Sequence, residues 1–100
     1  MPEVLIRRDG AVGTIVLSNP PKFNAMSLGM WQALPDAIAQ LDADPAVRVI
    51  VLEGDGDKAF VSGADISQFE DQRAAKEAVK VYESLAEDAL MGIYRFPKPT

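Results

Sequence analysis

Short apolar runs open the chain. Residues 4–8 and Val12–Ser18 are rich in β-branched side chains, and Asp9-Gly10 lies between them. Two such runs around an Asp-Gly dipeptide predict a β-hairpin. Asn19-Pro20-Pro21 should end the second strand, because proline has no N–H to give to a β-ladder.

The spacing of apolar positions then changes to the three-to-four period of an amphipathic helix. Ser27 is the predicted N-cap, and the helix should run to about Asp42. Its single apolar stripe consists of Met30, Leu34, Ile38 and Leu41. Pro35 lies inside this stretch and should kink or divide the helix, since proline in an unadapted helix interior costs ~3 kcal/mol. The sequence leaves both outcomes open.

The second half of the chain predicts a strand, a loop and two helices. Residues 47–53 (VRVIVLE) carry apolar side chains on both faces, which predicts a strand in a sheet covered on both sides. A Gly/Asp-rich loop follows over residues 54–63, and Asp65 with Gln68 forms a variant of the capping box that should open a short helix. Residues 73–95 are amphipathic. The predicted apolar face of this long helix consists of Val79, Tyr82, Leu85, Ala86, Ala89, Leu90 and Ile93.

The element order β-β-α-β-loop-α-α predicts an α/β class, and length and composition fit one small domain over residues 1–100. Hydrophobic residues make up 48% and charged residues 25%, which is ordinary for a globular protein. No apolar run approaches the ~20 residues that span a bilayer. The first residues do not form a signal peptide, so the expected compartment is the cytoplasm. The net charge of −5 and the scattered Lys and Arg residues argue against nucleic-acid binding.

The chain contains neither cysteine nor histidine. Thiolate and imidazole chemistry are therefore excluded from these residues, and no metal site is expected. Residues 54–59 (GDGDKA) spell G-x-G-x-x-A, but the following residues 60–63 are not a helix start, so a dinucleotide site is not predicted. Asp55 and Asp57 lack the rest of a calcium-binding loop.

Five segments, in order, resemble the crotonase (enoyl-CoA hydratase/isomerase) family. They are residues 15–20 (IVLSNP), 24–26 (NAM), 44–54 (DPAVRVIVLEG), 58–66 (KAFVSGADI) and 97–100 (PKPT). The resemblance implies a crotonase-like spiral of β-β-α turns, incomplete in this chain, which would be the N-terminal part of a single domain. It also implies an acyl-CoA thioester substrate, with no cofactor besides the CoA of the substrate, and assembly into a homotrimer or hexamer.

By the same resemblance, the backbone N–H of Ala64 is the first donor of an oxyanion hole. Gly63 would allow an unusual backbone conformation and a close approach of the substrate. Asp65, as cap of the next helix, would orient neighbouring N–H groups, and the positive end of that helix would favour an anion.

The resemblance also implies which residues contact CoA. Lys22 and Lys58 are the candidate cations for its phosphates, and two local lysines can attract an anion despite the negative net charge. Main-chain groups near Ala25 and near Asp65 and Ile66 would hold the adenine and the pantetheine.

The function implied most directly is enoyl-CoA hydratase, a lyase of fatty acid metabolism that adds water to a 2-enoyl-CoA through a stabilised enolate. The alternatives are an enoyl-CoA isomerase or another acyl-CoA enzyme of the family, a non-catalytic acyl-CoA-binding protein, and an inactive fragment. In the family, the second oxyanion donor and the catalytic carboxylates follow the segment that ends here at Thr100. We therefore expect these 100 residues alone to lack hydratase activity.

Overall fold

The computed structural model describes residues 2–63 and 72–100, with side chains of the last helix described from Lys80 onward. The elements in chain order are strand β1 (Glu3–Asp9), strand β2 (Val12–Ser18), a 3₁₀ turn (Pro20–Lys22), helix α1 (Leu28–Ala43), strand β3 (Val49–Gly54) and helix α2 (Gln72–Tyr94). The predicted hairpin and both long helices are confirmed within one or two residues at each end.

The three strands form one sheet in the order β1-β2-β3. β1 and β2 are antiparallel, and Ile6 lies opposite Ile15. β2 and β3 are parallel, and Ile15 lies opposite Leu52. Parallel neighbours need a crossover connection, which here is α1. The predicted α/β class is therefore confirmed, and α1 lies across one face of the sheet.

The core lies between this face and α1. Its members include Ile15, Leu17 and Ile50 from the sheet and Met30, Leu34 and Leu41 from α1, none of them more than 3% exposed. The predicted cap is present, because the Ser27 Oγ accepts the Met30 N–H at 3.2 Å. The helix runs without interruption through Pro35, which is exposed, so the proline does not divide it.

β3 differs from its prediction in two ways. The strand begins at Val49, and Val47 is instead buried in the turn that precedes it. The prediction that both faces of the strand are covered is wrong for the described residues. Ile50 is buried, while Val51, on the opposite face, is 40% exposed. The reason is that the core contributed by α1 lies on the Ile50 side only. At the free edge of β3, the Pro99 carbonyl accepts the Ile50 N–H at 2.9 Å.

α2 packs chiefly on α1, and its Ala89 is fully buried there. Leu90 was predicted on the same apolar face but is 55% exposed, because it lies about 100° around the helix from Ala89. The chain then returns to the end of α1. There the Lys98 ammonium donates to the carbonyl oxygens of Leu41, Asp42 and Asp44 at 3.5, 3.2 and 3.3 Å.

None of the helices within residues 2–63 and 72–100 combines the length and the apolar character that a membrane crossing requires.

Candidate functional site

Two loops meet at the carboxyl ends of the parallel strands β2 and β3. We call residues 19–26, which follow β2, the first loop, and residues 55–63, which follow β3, the second loop. Both contain segments that carry the family resemblance. The described structure shows them hydrogen-bonded to each other at several points.

Asn24 is the main link between the loops. Its side chain is buried, and its Nδ2 donates to the carbonyl oxygens of Asp55 and Ala59, both at 2.9 Å. Its Oδ1 accepts the backbone N–H of Asn19 at 2.9 Å. One amide therefore fixes both ends of residues 55–59. The φ angle of Asn24 is 61°, a left-handed conformation that asparagine tolerates better than most residues.

Two further hydrogen bonds join the later parts of the loops. The Met26 N–H donates to the Gly63 carbonyl at 2.7 Å, and the Ser62 hydroxyl donates to the Lys22 carbonyl at 2.9 Å. Gly63 has a φ angle of 138°, which confirms the unusual backbone predicted for it. The loops therefore run side by side up to the residue that precedes Ala64.

Gly54 explains how the second loop can fold back on its own strand. A Cβ at this position would overlap the carbonyl oxygens of Ala59 and Phe60. The Asp55 carboxylate accepts the Ser18 hydroxyl at 2.7 Å, which holds the start of the loop against the end of β2. Residues 59–63 contain no helix.

A cavity of about 240 Å³ lies between the two loops. It is lined by Pro20, Phe23, Asn24, Asp55, Gly56, Asp57, Lys58 and Ala59. Lys58 supplies the positive charge, and Phe23 is 56% exposed. Because Asp55 and Asp57 line the same cavity, an anion would bind on the Lys58 side. Lys22 is exposed on the first loop but does not line this cavity.

A second cavity of about 230 Å³ lies between the second loop and α2. Its described lining consists of Leu17, Met26, Trp31, Leu34, Phe60, Val61, Gly63, Tyr82, Leu90 and Ile93, and carries no charged side chain. Trp31 and Tyr82 pack edge to face, with ring centroids 6.0 Å apart. The cavity reaches Gly63 and is suited to a hydrocarbon group.

The other predicted site residues fall into two groups. Ala25 is buried, its N–H donates to the Lys22 carbonyl at 3.1 Å, and its carbonyl accepts the Asn19 amide at 2.9 Å. A ligand could therefore reach its main chain only at the second carbonyl lone pair. Ala64, Asp65 and Ile66, with the short helix predicted to start there, lie outside the described residues.

Sequence reasoning did not assign functional roles to Asn24, Ser62 or Tyr82. Asn24 had a local signal, because asparagine is enriched in left-handed conformations and stands in a turn after two prolines. Ser62 and Tyr82 had none, since their hydrogen bonds reach residues 40 and 56 positions away in the chain.

Comparison with known proteins identifies the class. The model of the enoyl-CoA hydratase/isomerase family matches residues 7–100. The structure of an enoyl-CoA hydratase/carnithine racemase from Magnetospirillum magneticum is 37% identical with a TM-score of 0.86, over 99% of this chain and 37% of that one. The rat mitochondrial 3-hydroxyisobutyryl-CoA hydrolase is 36% identical over 86% of this chain and 21% of its own length. Crotonyl-CoA hydratase of Syntrophomonas wolfei is 28% identical over 96% of this chain and 36% of its own.

The chain belongs to the enoyl-CoA hydratase/isomerase family, the crotonase superfamily. It spans less than two fifths of the length of each of these three relatives. The named activities of the two curated relatives differ, since one is a hydrolase and the other a hydratase.

Proposed function

We propose that the protein acts on acyl-CoA thioesters and stabilises negative charge on the thioester oxygen, with the Ala64 N–H as one donor. The observation that carries this proposal is the 2.7 Å hydrogen bond from the Met26 N–H to the Gly63 carbonyl. This hydrogen bond holds the Gly63 carbonyl, the last described group before Ala64, against the first loop. We propose that the first loop, by holding this carbonyl, orients the donor that follows it in the chain.

The chemistry gives such a donor a defined use. Enolate formation and attack on the carbonyl carbon both place negative charge on the thioester oxygen. A preorganised N–H beside that oxygen stabilises the charge, and losing one donor of an oxyanion hole typically costs about 3–4 kcal/mol of barrier. Asp65 is proposed to cap the following helix and so to orient neighbouring N–H groups.

The cavity between the loops supports binding of the nucleotide end of CoA. Lys58 lines it and Lys22 lies on the adjoining first loop, so we assign the phosphate contacts to these two lysines. The exposed face of Phe23 offers a surface on which adenine could stack. Main-chain contacts through Ala25 and Ile66 complete the proposed CoA site. CoA enters as part of the substrate, and no separate cofactor is proposed.

The reaction that we propose first is hydration of a 2-enoyl-CoA. The match to the family model and the presence of a hydratase among the relatives support it. The second candidate is hydrolysis of a hydroxyacyl-CoA thioester, which the name of the rat relative favours. An isomerase would use the same oxyanion. A trimeric or hexameric assembly stays a prediction, as does a cytoplasmic location, which the mitochondrial rat relative does not support.

One assay separates the first two reactions. The full polypeptide encoded by the gene is incubated with crotonyl-CoA and with 3-hydroxyisobutyryl-CoA. Hydration removes the ultraviolet absorbance of the conjugated enoyl thioester and releases no thiol, whereas hydrolysis releases free CoA that a disulfide reagent detects. Absence of both signals, together with absence of acyl-CoA binding by calorimetry, would contradict the proposed function.

A paired substitution tests the CoA site. Lys58→Ala should weaken CoA binding about two- to fivefold, the loss expected for one exposed and partly screened charge contact to a phosphate. Lys80→Ala removes an equally charged residue from the exposed surface of α2 and should leave CoA affinity unchanged. Equal affinities for the two variants would remove Lys58 from the site.

A further inference from the structure

Tyr82 connects α2 to Met26, the last residue of the first loop. Its hydroxyl donates to the Met26 carbonyl at 3.1 Å. Met26 is 2% exposed, and its N–H donates to the Gly63 carbonyl at 2.7 Å. Both main-chain hydrogen-bonding groups of Met26 are therefore engaged, with α2 on one side and the second loop on the other.

The position of this hydroxyl is itself fixed by packing. The Tyr82 ring lies edge to face with Trp31, with an angle of 89° between the ring planes. The same ring lines the apolar cavity of about 230 Å³ that reaches Gly63. The contact with Trp31 restricts the ring, and the ring in turn sets where the hydroxyl can bind.

We propose that Tyr82 is a positioning residue: its hydroxyl holds Met26, and Met26 sets the direction of the Gly63 peptide unit beside the apolar cavity. This inference rests on the proposed function, which uses the N–H of that unit as an oxyanion donor. The hydrocarbon part of the acyl chain occupies the cavity, where the Tyr82 ring forms part of the wall. A change at Tyr82 therefore acts on the reaction step rather than on binding of the CoA moiety, which lies at the other cavity.

The test is Tyr82→Phe, which removes one oxygen and keeps the ring. Tyr94→Phe is the matched control, because it makes the same change on the same helix at a side chain that is 83% exposed. For crotonyl-CoA and for a longer straight-chain 2-enoyl-CoA, Tyr82→Phe should lower kcat about tenfold, part of the 10²–10³-fold effect of losing an oxyanion donor outright. KM should stay within about twofold, because the ring and the CoA site are retained.

The outcomes separate this inference from the proposed function. A wild-type protein that neither binds nor converts any acyl-CoA refutes both. An active wild type with equal kcat values for the two variants refutes the role of Tyr82 and leaves the function intact, even if Tyr82→Phe melts at a lower temperature. Should Tyr82→Phe not fold, 3-fluorotyrosine at position 82 keeps the ring and makes the hydroxyl more acidic. An unchanged kcat would then refute the inference, and an altered kcat would support it.

Discussion

Replacing Asn24 should destabilise the protein more than its small size would indicate. The Nδ2 donates to Asp55 and Ala59, and the Oδ1 accepts from Asn19, each at 2.9 Å. At about 1 kcal/mol net for each hydrogen bond, Asn24→Gly should lower the free energy of unfolding by about 3 kcal/mol. Asn24→Ala should lower the free energy of unfolding by about 1 kcal/mol more than Asn24→Gly does. The reason is that a φ of 61° is a strained, left-handed conformation for alanine, whereas glycine adopts it freely.

Two more variants distinguish hydrogen bonding from shape. Asn24→Asp is nearly isosteric, but it replaces the two N–H donors by a carboxylate oxygen that faces two carbonyl oxygens. It should be at least as destabilising as Asn24→Gly. Phe23→Gly is the control, since Phe23 is also left-handed, with a φ of 52°, but is 56% exposed. Removing the partly buried Phe23 side chain should cost about 1 kcal/mol of stability. Glycine relieves a similar amount of left-handed backbone strain, so the free energy of unfolding should change little.

The measurement is urea unfolding of the full polypeptide, followed by far-ultraviolet circular dichroism. A shift of the midpoint at constant slope reports a change in stability alone. A single hydrogen bond contributes about 1 kcal/mol, so a loss below about 0.5 kcal/mol for Asn24→Gly would mean that none of the three bonds stabilises the protein. That result, or an Asn24→Asp variant as stable as the wild type, would show that this amide does not hold the two loops together.

Two further changes test the packing around the site. Gly54→Ala should destabilise the protein by about 3 kcal/mol or more, the scale of severe overpacking, because its Cβ would overlap the Ala59 carbonyl. Gly92 lies in open space within α2, so Gly92→Ala should stabilise the protein by up to about 1 kcal/mol. The melting temperatures of the two variants should therefore shift in opposite directions. Lys98→Met should cost about 1–2 kcal/mol, since the ammonium satisfies carbonyl groups at the end of α1. Lys80→Met should change the urea midpoint little, and equal losses for the two lysine variants would contradict the capping role.

The family resemblance pointed to the two loops of the candidate site through residues whose effects are local. Proline after β2, glycine at position 63 and the Ser27 cap each act on the backbone of their own neighbourhood. Such effects depend on covalent geometry and hydrogen bonds a few residues apart, so the sequence shows them directly.

Periodicity was equally sufficient for the hairpin and for both long helices, because a repeat of two or of 3.6 residues is a property of the chain itself. Periodicity did not predict which apolar side chains are exposed. Leu90 fits the apolar repeat of α2, yet it is exposed, because it lies about 100° around the helix from the buried Ala89. β3 likewise carries apolar residues on both faces, but the core of the described structure lies on one of them.

By itself the sequence determined the hairpin, both long helices, the α/β class and the family, and it pointed to the loop that precedes the proposed oxyanion donor. Only the tertiary structure decided that Asn24 fixes both ends of residues 55–59 and that Tyr82 holds Met26. The physical reason is distance along the chain. These partners lie 31 to 56 residues apart, so their hydrogen bonds depend on tertiary packing that brings distant segments together.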